Sequence, residues 1–411
     1  MVGSATTRKD VEVHLGASGL VVGRLHLGSG KRSAFNYNET WLRDTRYFNL
    51  SPELQPVLGV QHPQGVFFHA LEDTAPDAWG ERVIRRAHAK QRQKDRSLAP
   101  LAPVDFLLWV DDEARVGALR LFDAAEGGYL NSGGGQRHVP PLVELDKVLK
   151  AAMALEDGNE TEEDLQYLLG RGTSLGGARP KSTVRDSDGA LALGKFPSQA
   201  DQRDVIRGEV LAMNLASKAG IRTAQARVEM IKDTPVAIIR RFDRTANGDR
   251  IPYMSAATML QISGRDDDHA YTELVDALLQ EGVDPVADIQ ELWRRLVFNF
   301  LICNTDDHLR NTGFLYDARH HGWRLAPAFD LNPMPGDRRE SKTWLTEESG
   351  PIDSRSVLME GASYFRLNSE QAEETWHKVA HAVAEWRSTA KATGMRDTDL
   401  IDFSSAFESV M

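Results

Sequence analysis

Apolar and polar positions alternate with a period of two along the first part of the chain. The runs at 11–15, 20–27 and 34–37 are short, apolar and separated by glycine-rich turns. That is the pattern of strands with one buried face, so residues 11–60 are read as a small β-rich region. Between Gly80 and Arg96 the spacing becomes helical. There Arg82, Arg85, Arg86, Lys90, Arg92, Lys94 and Arg96 stand against Glu81 and Asp95, which predicts a helix with a solvated basic face. A further strand is expected at 116–122. The stretch 126–141, EGGYLNSGGGQRHVPP, has the composition of a flexible connector.

Beyond it, Leu145, Val148, Leu149 and Ala152 recur at helical spacing, and a second helix is expected after Thr161. A glycine-rich turn at 170–177 leads into strands near 182–184 and 190–196. A helix carrying Ile206, Val210 and Met213 follows, then strands at 224–228 and 236–239. From about Thr258 onward helical periodicity dominates. Its clearest case places Trp376, Val379, Val383 and Trp386 on one stripe behind an Asn368/Gln371 pair at capping-box spacing. The layout is α+β: a β-rich N-terminal part and a mostly helical C-terminal part.

Composition narrows the chemistry. With 411 residues, 41% hydrophobic and 27% charged, the chain is long enough for two or three globular domains. A net charge of −11 excludes nucleic-acid binding through bulk charge and leaves only a local basic face for it. Cys303 is the single cysteine, which excludes an intrachain disulfide and a cysteine-based zinc site and fits a reducing cytoplasm. The most apolar stretch, 296–303, is eight residues long and contains Asn299, so no membrane span is expected. Residues 1–10 lack the layout of a signal peptide, and a cytoplasmic protein is expected.

Four elements carry candidate chemistry. Asn304-Thr-Asp-Asp-His-Leu-Arg-Asn311 places a dense polar octet directly after LVFNFLIC. Within it Asp306 and Asn311 have the D-x-x-x-x-N spacing of a kinase catalytic loop, where the Asp takes the hydroxyl proton and the Asn ligates Mg2+. The alternative is a polar helix-end loop. Ala328-Phe-Asp-Leu331 sets Asp330 24 residues beyond Asp306, with a hairpin expected between them. Its carboxylate is a hard oxygen ligand for Mg2+, or else a turn Asp. The third element is the glycine-rich 172–181 segment, GTSLGGARPK, whose N–H groups can face phosphate oxygens. Pro180 breaks the Walker A pattern before Lys181, which argues against a plain P-loop ATPase. Lys195 is the fourth, closing the apolar run 190–196, where its ammonium needs an anion or a path to water; Glu209 on the next helix is a candidate partner. The four occur in kinase order. His377 and His381 are four apart, but Lys378 stands where a zincin needs Glu, so they are read as helix-surface residues, and the acidic stretches 111–113 and 266–268 as loops.

The chain resembles the HipA family of serine/threonine kinase toxins. The likeness rests on Leu71-Glu-Asp-Thr-Ala-Pro-Asp-Ala-Trp-Gly80, Ser174-Leu-Gly-Gly-Ala-Arg-Pro-Lys181, Arg240-Arg-Phe-Asp243, Thr305-Asp-Asp-His-Leu-Arg-Asn311 and Phe329-Asp330. It implies a two-lobed, protein-kinase-like fold: a β-rich domain over 1–125, a linker at 126–141, a nucleotide-binding lobe over 142–243 and a helical lobe over 244–411. It further implies ATP and Mg2+ as cofactors. Asp306 would be the base, Asn311 and Asp330 the metal ligands, and Lys195 the phosphate contact. Ser174, Gly176, Gly177, Ala178, Lys181 and His308 would line the nucleotide site, with the backbone near Arg240 and Phe242 meeting adenine. Ser174 matches the family's autophosphorylated off-switch. The implied partners are a HipB-like helix-turn-helix antitoxin, operator DNA through that antitoxin, and a protein substrate such as the glutamyl aminoacyl-tRNA synthetase. Asp307 replaces a common glycine and either perturbs Asp306 or adds a metal ligand. The rival readings are a kinase acting on a lipid or small molecule, and a non-catalytic corepressor.

Overall fold

The computed structural model describes residues 9–28, 32–132, 139–169, 177–262, 269–336 and 339–408. Ser174, Gly176 and the acidic stretch 266–268 lie outside them. The chain divides into two compact units, Met1–Gln199 with Asp243–Met254, and Ala200–Phe242 with Ser255–Met411.

The first unit opens on an antiparallel sheet built from Lys9–Leu15 (β1), Leu20–Leu27 (β2), Ser33–Tyr37 (β3), Leu119–Asp123 (β4) and Gly128–Tyr129 (β5), in the order β3-β2-β1-β4-β5. The period-two pattern has its physical counterpart in Val11, Val13, Leu25, Leu27, Phe35, Tyr37 and Leu121, all buried. Gly23 is required where Phe35 crosses β2, since a Cβ there would stand 2.3 Å from Phe35 Cζ. The expected connector begins as edge strand β5, because Phe122 and Asp123 give Tyr129 and Gly128 ladder partners; residues 133–138 are outside the described set.

Asp77 caps the helix Ala78–Lys94, its Oδ1 accepting from Gly80 N at 2.8 Å, and Trp79, Val83, Ile84 and Ala87 form the buried face. The basic face of this helix is not simply solvated. Arg86 pairs at 2.7 Å with the fully buried Glu160 carboxylate, Lys90 donates to the Glu160 carbonyl, Lys94 pairs with Glu162 at 2.7 Å, and Arg82 donates to Leu155 O at 3.2 Å. The turn between helices Leu145–Asp157 and Glu162–Leu168 offers carboxylates and orphan helix-end carbonyls to these four, while Arg85, Arg92 and Arg96 remain on an exposed face as expected.

The acidic stretch at 111–113 is likewise more than a loop. Asp112 is buried and holds Arg120 at 2.6 Å and Arg250 at 3.4 Å. Arg115 donates to the carbonyls of Thr74, Leu107 and Val110, and burial pulls its guanidinium down to about 10. Asp243 joins the network, accepting from Gly117 N and pairing with Arg244, both at 2.7 Å. The unit closes with the antiparallel strands Lys181–Arg185 (β6) and Leu191–Lys195 (β7).

The second unit is mainly helical. Val205–Lys218 precedes the hairpin Ala226–Ile231 (β8) and Thr234–Arg240 (β9). Pro285–Leu301 is its central helix, with Pro in the first turn, and it buries Leu292, Trp293, Leu296, Val297 and Phe300 against Tyr271–Glu281 and Ser369–Ala384. Truncating a side chain such as Trp293 to Ala costs about 3–5 kcal/mol in a core of this kind. The Asn368/Gln371 capping box forms. The stripe behind it bends: the helix stops at Ala384 and Trp386 opens the next one, stacked on Phe407 with ring centres 4.8 Å apart. His377 and His381 are exposed, as expected.

Candidate active site

The second unit builds the polar octet at the end of its central helix. Cys303 takes a left-handed conformation (φ 56°) and breaks the helix. Asn304 then folds back, its N–H donating to Asn299 O at 2.8 Å and its Nδ2 to Asn299 Oδ1 at 3.1 Å. A 3-10 turn, Leu309–Asn311, closes the loop, with Asn311 N donating to His308 O at 2.8 Å. The expected hairpin follows as Gly313–Asp317 and Gly322–Leu325.

Asn311 is the most informative side chain of the loop. Its Nδ2 donates to the Asp306 carbonyl at 2.9 Å, which fixes the direction of the amide. Its Oδ1 is buried and accepts no hydrogen bond among the described residues. An oriented, unsatisfied amide oxygen suits a hard cation or a donor brought by a ligand.

Asp306 and Asp307 are neighbours with opposite environments. The Asp306 carboxylate is half-exposed and paired with the Lys342 ammonium. Asp307 is buried: Tyr271 Oη lies 2.8 Å from its Oδ2 and 3.0 Å from its carbonyl, Lys342 N donates to its Oδ1 at 2.9 Å, and Thr343 Oγ1 donates to its carbonyl at 3.1 Å. Burial pushes the Asp307 carboxyl up to about 7, outweighing the hydrogen bonds that lower it. Both its oxygens accept hydrogen bonds inside the protein, and through them Asp307 anchors the loop to residues 271 and 342. Neither Tyr271 nor Lys342 stands out in the sequence, because no local pattern joins positions 35 or 36 residues apart.

Asp330 follows Phe329 in a left-handed conformation (φ 55°), with Asn332 Nδ2 3.2 Å from both its carbonyl and its Oδ1. Its segment is tied down on several sides. Met334 N donates to Cys303 O at 3.2 Å, Ala328 N to Arg222 O at 2.7 Å, and Arg295 to Ala326 O at 2.8 Å. Asp288, fully buried, accepts from Leu325 N and from Arg222. Phe242, just beyond β9, packs on Phe329 with ring centres 5.4 Å apart, and Arg240 N donates to Gln225 O at 2.8 Å. The second unit thus gathers Asp306, His308 and Asn311 in one loop, with the Asp330 segment tied to that loop's base. Among the described residues no three His, Cys, Asp or Glu side chains converge on a metal. The donors that the loop and the Asp330 segment carry, an amide oxygen and carboxylates, are hard oxygen ligands of the type that suits Mg2+.

The first unit gathers the lysines. Lys181 and Lys195 are direct cross-strand partners on β6 and β7, both almost fully buried. Lys181 pairs with Asp77 at 2.9 Å and donates to Gly177 O at 3.2 Å. Ala178 is exposed. Glu209 is a buried residue of the second unit.

Comparison with known proteins gives this arrangement a context. Residues 12–121 match the family model of the HipA N-terminal domain, and residues 173–387 that of the HipA-like C-terminal domain. A Sinorhizobium fredii protein named as a candidate kinase, Y4mE, is 25% identical over 176 residues, 38% of this chain and 41% of that one. A second from the same organism, Y4dM, named likewise, is 37% identical over 98 residues, 23% of this chain and 22% of that one. The chain thus spans about two fifths of one of these relatives' length and about one fifth of the other's. Among solved structures, the Shewanella oneidensis toxin HipA, in complex with HipB and operator DNA, superposes with a TM-score of 0.66 over 97% of this chain and 95% of that one, at 16% identity. That likeness supports the α+β fold. With both modules matched, the larger over just more than half of the sequence, the chain belongs to the HipA family of kinase-like proteins.

Proposed function

We propose that the chain is an ATP- and Mg2+-dependent kinase that phosphorylates a serine or threonine hydroxyl of a protein. The observation that carries this reading is the Asn311 amide, oriented by the Asp306 carbonyl and presenting an unsatisfied oxygen in a D-x-x-x-x-N loop. In this reading Asp306 accepts the proton of the attacking hydroxyl. Its exposure leaves it accessible beside the Lys342 ammonium. Asn311 and Asp330 hold the metal, Lys195 contacts the phosphates, and the backbone around Arg240 and Phe242 receives the adenine. Bound Mg2+ supplies charge neutralisation at the phosphate oxygens. Asp307 keeps the loop in place from behind.

The family likeness extends the proposal. Ser174 is assigned as an autophosphorylated off-switch: a phosphate there would repel nucleotide from a site built for ATP. A helix-turn-helix antitoxin is the expected partner, operator DNA being reached through it, and an aminoacyl-tRNA synthetase is the expected substrate of this cytoplasmic kinase. No helix of the described residues is long and apolar enough to cross a membrane.

Calorimetric titration with ATP, with Mg2+ and again with EDTA, tests the site. Binding that requires the metal and weakens in Asn311→Ala is expected. Equal affinity in both buffers and in both proteins would remove the assignment.

A further inference from the structure

Two lysines face each other across β6 and β7, at Lys181 and Lys195, and an antiparallel pair of like charges is unfavourable without a counter-charge. Part of the answer comes from the N-terminal module. Asp77 Oδ2 lies 2.9 Å from Lys181 Nζ, with the two side chains only 3% and 2% exposed. Its other oxygen, Oδ1, caps the helix Ala78–Lys94. The Lys181 ammonium also donates to the carbonyl of Gly177, the first described residue of the glycine-rich segment's far end. Gly177 has φ +96°, and a Cβ there would stand 3.1 Å from that ammonium, so only glycine lets the chain close over it.

Resting on the kinase reading above, we propose that Asp77 is a positioning residue for nucleotide binding: through Lys181 it fixes the Gly177–Lys181 end of the glycine-rich segment to the N-terminus of the helix Ala78–Lys94. The HipA N-terminal module then does more than accompany the kinase-like part. One of its helix caps sets the geometry of the segment that leads to β6. A buried ion pair broken on one side leaves an uncompensated charge, so losing either partner is costly.

Asp77→Asn isolates the pair, because asparagine caps a helix as well as aspartate does and removes only the charge. Lys181→Met is the second variant; the Asp77 carboxyl it strands can be neutralised by protonation, since burial already pushes it up. ATP affinity in the presence of Mg2+ is measured by calorimetry on the full chain, together with hydrogen exchange over residues 177–185 without nucleotide. Each single variant is expected to weaken ATP binding about tenfold or more and to raise exchange over 177–185. The double variant is expected to lose no more than the worse single one. Wild-type affinity in both variants, alongside normal Mg2+-dependent binding by the wild type, overturns the proposal and leaves the kinase reading standing. Absence of ATP binding by the wild type overturns both.

Discussion

Two lysine–aspartate pairs, one in each unit, share their chemistry and differ in their surroundings. Asp77–Lys181 is sealed from water, and Asp77 has a second duty as a helix cap. Asp306–Lys342 is about half open, its side chains 42% and 52% exposed. Taking charges out of water makes a pair costly to break and slow to exchange, which suits a structural fixture. An exposed pair is worth little and opens readily, which suits a carboxylate that must meet a substrate. The same residue types thus give a clamp in one unit and an accessible base in the other. Asp307 shows the switch between these roles within one peptide bond: buried beside Tyr271, it does the anchoring that leaves Asp306 open.

The contrast is sharpest at Asp306. Asp306→Ala is expected to lower turnover about a thousandfold with ATP affinity roughly retained, read from initial rates beside calorimetry. Asn311→Ala should raise the Mg2+ concentration needed for half-maximal activity by about tenfold, with less effect once Mg2+ is saturating; an unchanged metal requirement would remove Asn311 from the metal shell.

Asp307 tests the other side of the comparison through stability. Folding raises its pKa from 3.8 to about 7. Its contribution is therefore fully present below pH 3.8 and is lost as pH rises through about 7, on the order of 4 kcal/mol across that window. Asp307→Asn keeps an acceptor for Lys342 N and offers Tyr271 an amide donor. Chemical denaturation should show a flatter stability profile between pH 4 and 8 in this variant than in the wild type, and parallel profiles would contradict the buried assignment. The smallest effect is expected for Lys342→Met. A loss of turnover of about threefold to tenfold is predicted, shrinking with added salt because the pair is exposed.

Much of this was legible in the sequence. The strands of the first sheet, the helix after Asp77 and the capping box at Asn368 follow from periodicity and cap chemistry, which are local. The order of the candidate residues and the hairpin between Asn311 and Asp330 were also readable, since spacing along the chain carries them. Long-range pairing was not. The basic run at 82–96 read as solvated because the carboxylates that neutralise it, Glu160 and Glu162, lie some seventy residues away. The partners of Asp112, Asp307 and Lys342 are not legible for the same reason: only tertiary packing supplies them.

The most direct test of the phosphoryl-transfer assignment is the intact mass of the full chain after incubation with Mg2+ and ATP, starting from protein shown to be unphosphorylated, beside Asp306→Ala. The account predicts that the wild type gains the mass of one phosphoryl group, located at Ser174 by peptide sequencing, and that the variant gains none. Equal phosphorylation of both proteins would contradict Asp306 as the base, and no transfer by a wild type saturated with Mg2+ and ATP would contradict the self-modifying kinase proposed here.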